Sequence, residues 1–336
     1  MRKRKKKEVT EKDIRQAKNL LILVIAFAVL IIVLCFIRYP KTYVGAFIGN
    51  YSGTEDVISN MKGEPVNSKE STKALLPYQQ DYDDWKEQNL GTEVSVQAED
   101  GTVLKGKLYD QGSKVTVVYL HTQGSSSDGD FLYAPWYWEK GYNILMPDNR
   151  GHGESEGNCA TYGVKESGDV NQWLQLLCEN YGTDSKIIVQ GDTLGAADAL
   201  MASPDYPEQV AFTVAESPID NLYNAGEYLL KQQFTSLPLL MQLADRYNYQ
   251  QNQFHLSDVV TSEAVAQAST PLLMLCGRDD TIVDPANAET IKQAAQAAQT
   301  DCDVLYVDNA GHGMLYAADC QEIQEQIDTY ITAYIN

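Results

Sequence analysis

Residues 187–197 read Ile187-Ile188-Val189-Gln190-Gly191-Asp192-Thr193-Leu194-Gly195-Ala196-Ala197. Branched apolar residues, the composition of a buried strand, run into two glycines that bracket a hydroxyl residue. Small, helix-compatible residues follow directly. This order specifies a strand delivered into a tight turn at a helix N-terminus, the layout of the G-x-S-x-G motif with Thr193 in the serine position. Such a turn presents the hydroxyl, while the next backbone N–H and the helix dipole face any negative charge that develops beside it.

A literal match to the same motif lies elsewhere, at Gly153-Glu154-Ser155-Glu156-Gly157. Polar residues and glycines surround it, and no helix begins at Ser155. Spacing without the strand and helix carries no such geometry, so Ser155 reads as a loop residue.

Working outward, residues 93–98 and 103–109 alternate apolar and polar around Glu99-Asp100-Gly101, a hairpin signature. Residues 114–120 (KVTVVYL), 142–147 (YNILMP), 186–190, 210–214, 271–276 and 303–307 read as further strands. Helical patterns separate them, among them Val170, Trp173, Leu174 and Leu177 at i, i+3, i+4 and i+7. Strands alternating with helices predict an α/β domain over residues 92–336 with a doubly wound, mostly parallel sheet. One segment, about 219–268, breaks the alternation and reads as helical, with Leu222, Tyr223, Tyr228, Leu229, Leu230 and Phe234 among many glutamines. An insertion there suits a lid over the C-terminal edge of the sheet, where ligands of such folds bind.

The N-terminal quarter differs in kind. Residues 1–18 carry nine Lys/Arg against three acids, a net of +6, which leaves −26 for the rest of a chain whose total is −20. So acidic a remainder repels phosphates and argues against nucleic acid. Residues 20–37 (LLILVIAFAVLIIVLCFI) are eighteen apolar residues without a charge. At ~1.5 Å per residue they nearly match a ~30 Å hydrocarbon core. Arg38-Tyr39-Pro40-Lys41 follows, with no small-x-small cleavage site. The expected arrangement is a basic cytoplasmic tail (1–19), one transmembrane helix (20–37) and a polar stalk or linker (38–91), with a short helix around Asp81–Gln88 leading into the domain. The heavier positive cluster precedes the span, which puts the 92–336 domain outside the cytoplasm. Five cysteines remain beyond Cys35, none at metal-ligand spacing, and no cofactor motif is present. Cys276 sits in an apolar run and reads as a core residue, and pairing of Cys302 with Cys320 stays open.

The stretches YLHTQG, GYNILMPDNRGHGESEG, IIVQGDTLGAA, PLLMLCGRDDTIVDP and NAGHG, in this order, resemble the α/β-hydrolase superfamily. The likeness is strongest to its serine-aminopeptidase-like, lid-bearing esterase branch, and it covers residues 92–336. It implies Thr193 as nucleophile, His312 of Asn309-Ala310-Gly311-His312-Gly313 as base and Asp280 of Gly277-Arg278-Asp279-Asp280 as acid, with Asp279 the alternative. It further implies the N–H groups of Leu194 and Gln123 as an oxyanion hole, Gly191 and Gly195 as the elbow glycines, and structural roles for His121 and His152. The chemistry expected is acyl hydrolysis of an ester, thioester or peptide bond, without metal or cofactor, on a small-molecule or peptide substrate. Aromatic residues in the lid suggest an apolar acyl group. Transfer to another acceptor uses the same residues, and a pseudohydrolase binding a ligand or partner at the cell surface is the alternative. A β-branched residue at a strained turn costs ~1–3 kcal/mol, a slowing of roughly 5- to 150-fold if all of it fell on the transition state.

Overall fold

The computed structural model describes residues 11–47, 69–129, 131–233 and 238–335. Residues 1–10 of the basic tail, 48–68 of the expected stalk and Phe234 of the lid lie outside them. In chain order the elements are α1 (Glu11–Phe47), α2 (Lys69–Gln88), β1 (Thr92–Gln97), β2 (Val103–Tyr109), β3 (Val115–Leu120), α3 (Ala134–Glu139), β4 (Asn143–Pro147), α4 (Glu166–Tyr181), β5 (Lys186–Asp192), α5 (Leu194–Ala202) and β6 (Val210–Glu216). There follow α6 (Leu222–Gln233), α7 (Pro238–Asn252), α8 (Thr261–Val265), β7 (Leu272–Gly277), α9 (Asn287–Ala297), β8 (Cys302–Val307) and α10 (Leu315–Tyr334).

The strands form one eight-stranded sheet in the order β1-β2-β4-β3-β5-β6-β7-β8. The β1–β2 and β2–β4 pairs are antiparallel and the others parallel, as the alternating pattern predicts. A period of two sends successive side chains to opposite faces, and both faces are covered by helices. Val117, Ile188, Leu273 and Leu275 point into one core with Phe131, Tyr137 and Ile327. Val118, Leu120 and Val189 point into another with Trp173 and Leu174. Each fully buried Val, Ile or Leu contributes about 1.5–3 kcal/mol of transfer free energy, which favours this register over a one-residue slip.

The described residues of 219–268 are mostly helical, in α6, α7 and α8 with short connections. Leu222, Leu229, Leu230, Met241 and Phe254 pack with Tyr162, Leu194 and Ala197, which seats the insertion on the N-terminal turn of α5.

Residues 38–91 depart from the expected stalk. Residues 38–47 continue α1, and Val44 is buried in the lid cluster beside α7. Residues 69–88 form α2, which buries Tyr82 and Trp85 in the domain core. The ring of Trp85 lies 4.8 Å from Tyr109 and 5.9 Å from Trp138, and the Tyr82 hydroxyl donates to the Gly129 carbonyl at 2.7 Å. Burial of aromatic faces at 3-4 spacing makes this segment part of the domain.

Helix α1 carries the apolar run, and Leu20, Leu21, Leu23 and Phe27 are more than half exposed. Among the described residues no helix is long and apolar enough to cross a membrane. Cys302 and Cys320 are free thiols, and Cys320 Sγ lies 3.3 Å from the Tyr78 hydroxyl. Cys276 is buried, as its apolar run predicts.

Candidate active site

Strand β5 ends at Asp192, α5 starts at Leu194, and Thr193 is the turn between them. Its φ of 51° lies in the left-handed region that β-branched residues avoid, a strain of about 1–3 kcal/mol. The two glycines are needed for space. A Cβ on Gly191 would lie 2.2 Å from the Gly195 carbonyl oxygen, and one on Gly195 would lie 2.0 Å from that of Leu120. Backbone meets backbone there, so no side chain can give way.

The tertiary structure brings Thr193, His312 and Asp280 together across 119 residues of chain. Thr193 Oγ1 lies 3.4 Å from His312 Nε2, and His312 Nδ1 lies 2.8 Å from Asp280 Oδ2. Asp280 is 4% exposed, and its other oxygen accepts the N–H groups of Ile282 and Val283 at 2.8 and 2.9 Å. The Ser217 hydroxyl donates to Oδ2 at 3.3 Å. Burial pushes this carboxyl up, but the His312 charge and hydrogen bond, with the two backbone N–H groups, outweigh it and hold Asp280 below its ordinary value. Asp279 is exposed and takes no part, which separates the adjacent pair. From the lid, the Tyr228 hydroxyl donates to the Asp280 carbonyl at 3.1 Å.

Leu194 opens α5, so its N–H is among the groups a helix leaves unpaired at its start. Gln123 stands in the loop after β3, where the Ser125 N–H donates to the Thr122 carbonyl at 3.2 Å. The other histidines lie outside this chain of contacts, although His152 lines the adjoining cavity. His121 is buried, its Nε2 accepts the Asn149 N–H at 3.0 Å, and its Nδ1 lies 2.8 Å from the Thr122 carbonyl. Burial, with the neighbouring His152, pushes its pKa down to about 4. His152 sits in the loop after β4, which Arg150 pins by a two-pronged bond to Asp169 of α4 at 2.7 Å each. His255 bonds Asp245 within the lid at 2.8 Å. Ser155 donates to the Asp148 carbonyl at 2.7 Å and accepts the Lys105 N–H at 2.8 Å, as befits a loop tie.

A cavity of about 740 Å³ opens beside Asp192 and Gly313, the chain neighbours of Thr193 and His312. Gln123, Tyr133, Asp192, Glu216 and Gly313 line it, and so do Leu75 and Gln79 of α2. Among the described residues of 219–268 none lines it. Sequence reasoning missed three contributors. One is α2, whose signal was Leu75, Tyr78, Tyr82 and Trp85 at 3-4-3 spacing. The others are Asp192 and Glu216, which sit opposite one another in the parallel β5–β6 register. The Tyr133 hydroxyl donates to Glu216 Oε2 at 2.7 Å. Burial, aided by the Asp192 charge, pushes Glu216 up to about 8, although Tyr133 and His312 oppose it.

Other proteins are similar to this chain in sequence and fold. Residues 117–336 match the model of the prolyl oligopeptidase family. YqkD of Bacillus subtilis is 22% identical over 220 residues, covering 64% of this chain and 70% of that protein. The α/β hydrolase domain-containing protein WAV2 of Arabidopsis thaliana is 25% identical over 179 residues, covering 51% and 54%. The Pyrococcus furiosus esterase Pf2001 shares the fold at a TM-score of 0.61 and 24% identity, over 74% of this chain and 93% of that one. With the family match extending over more than half of its length, the chain belongs to the prolyl oligopeptidase family and is a hydrolase of the α/β-hydrolase superfamily.

Proposed function

We propose that this protein is a membrane-anchored acyl hydrolase that cleaves an ester, thioester or peptide bond through Thr193, His312 and Asp280. The observation that carries it is the chain of contacts from Asp280 to His312 to Thr193, at 2.8 and 3.4 Å, at the start of a helix and beside a cavity. In this reading His312 Nε2 takes the hydroxyl proton as Oγ1 attacks the carbonyl carbon, and Asp280 orients the ring and stabilises its cation. The N–H groups of Leu194 and Gln123 receive the oxyanion. The imidazolium then returns its proton to the leaving group, and water, activated by the same histidine, releases the acid. The order of motifs and the helical lid support a place beside the serine-aminopeptidase-like, lid-bearing esterases. Anchoring rests on the charge-free apolar residues 20–37 and the basic residues before them, which favour a cytoplasmic N-terminus and an extracytoplasmic domain.

The test is hydrolysis of p-nitrophenyl acetate and butyrate by the full chain in detergent, with Thr193→Ser, Thr193→Ala and His312→Ala. Turnover above buffer is expected for the natural protein and background for both alanine variants. Thr193→Ser should gain activity, by up to roughly 5- to 150-fold if the whole strain is relieved in the transition state. Equal turnover in Thr193→Ala would refute the nucleophile and favour a binding role.

A further inference from the structure

The Thr193 hydroxyl has a second acceptor, and it is the nearer one. It donates to Asp192 Oδ1 at 2.8 Å, whereas His312 Nε2 stands 3.4 Å away. A hydroxyl carries one hydrogen and serves one acceptor well at a time. An ionised acceptor at the shorter distance forms the stronger bond. Asp192 has no place in the triad, yet it ends β5, lines the cavity and faces Glu216 across the sheet.

We propose that Asp192 is a positioning residue that holds the Thr193 hydroxyl in a resting orientation, turned from His312, so that attack requires this bond to be given up. The inference rests on the hydrolytic reading above. A turn about the Cα–Cβ bond brings Oγ1 towards Nε2, and rotation about the Cβ–Oγ1 bond moves the hydrogen from the carboxylate to the imidazole. The proton then passes to Nε2 as the Oγ1–carbon bond forms, and Asp192 is left unchanged. The groups facing Asp192 are Thr193 itself, Glu216 of β6 under the Tyr133 hydroxyl, Asp280 after β7 and His312 after β8. Burial is the strongest influence on Asp192 and raises its pKa, against His312 and the Thr193 hydrogen bond, with Asp280 raising it further. A carboxyl group that has taken up a proton binds the hydroxyl less strongly. The restraint therefore holds at alkaline pH and relaxes as pH falls through the raised pKa of Asp192.

The experiment measures kcat and KM for p-nitrophenyl butyrate from pH 5 to 9 with the full chain, Asp192→Ala and Asp192→Asn, and determines the Asp192→Ala structure. Asp192→Ala is expected to raise kcat roughly ten-fold at pH 8, the scale of one charge-assisted hydrogen bond, with KM changed little. Asp192→Asn, which keeps shape and an uncharged acceptor, should gain less. The ratio of variant to natural kcat should fall as pH falls through the raised pKa of Asp192, which a merely structural role would not produce. In the variant structure the Oγ1–Nε2 distance should shorten from 3.4 Å to about 2.8 Å. A kcat at or below that of the natural protein overturns the proposal, as does an unchanged distance. If Thr193→Ala keeps the natural rate, the hydrolytic reading falls. The distance in Asp192→Ala then decides the resting bond alone.

Discussion

Thr193 differs from serine by one methyl group, and its consequences stay within one turn of the chain. The strain at φ 51° is set by backbone geometry that Gly191 and Gly195 make possible. Gly195→Ala therefore tests the turn itself. Its Cβ would meet the Leu120 backbone, so the variant should lose more than about 3 kcal/mol and melt at least 6 °C lower, or fail to fold. Glu216 makes a second residue-scale prediction. With its pKa pushed up to about 8, the folded state keeps a proton that the unfolded state gives up above pH ~4.3. Protons bound in excess by the folded state make stability fall as pH rises. The loss runs from pH ~4.3 to about 8 and is complete above it. Thermal melts at pH 5, 6, 7 and 8 should show the natural protein losing ground to Glu216→Gln across that window. Parallel curves would disprove the buried, protonated carboxyl.

At the scale of elements, α2 is the instructive case. Its exposed face carries Asp81, Asp83, Asp84 and Glu87, so composition alone reads as linker. Its buried face holds Tyr82 and Trp85, and its upper turns reach the cavity through Leu75 and Gln79. Trp85→Ala should cost about 3–5 kcal/mol and lower the melting temperature by roughly 6–15 °C, because a buried indole leaves a hole among Tyr109 and Trp138. Leu76→Ala, on the exposed face, should change stability by less than about 0.5 kcal/mol. Differential scanning calorimetry of both variants separates a docked helix from a linker, which would show no difference between them.

For the whole molecule, the acidic bulk and the basic, apolar N-terminus are opposite in character. An alkaline carbonate wash of membranes should leave the full chain in the pellet and release a variant lacking residues 20–37. Protease added to intact cells or spheroplasts should digest the 92–336 domain. Release of the full chain by carbonate would refute the anchor, and protection of the domain would refute the orientation. Because Val44 of α1 is buried against the lid, removal of residues 11–47 should also destabilise the lid, seen as faster hydrogen exchange in α6 and α7.

Sequence by itself determined the doubly wound, mostly parallel sheet, and it pointed to Thr193, His312 and one of Asp279 and Asp280 as candidate site residues. Those properties depend on local signals: strand composition, period-two burial, glycines on either side of one hydroxyl, and single residues in short loops. Tertiary structure decided what depends on which segments meet. The choice of Asp280 over Asp279 came from which carboxyl faces His312, a matter of two strand ends lying side by side. The wall of the cavity came in part from α2 docking through aromatic rings. The nearest acceptor of the Thr193 hydrogen came from the orientation of a neighbouring side chain. No pattern of residue types encodes a difference between 2.8 and 3.4 Å, because that difference is set by packing around the whole site.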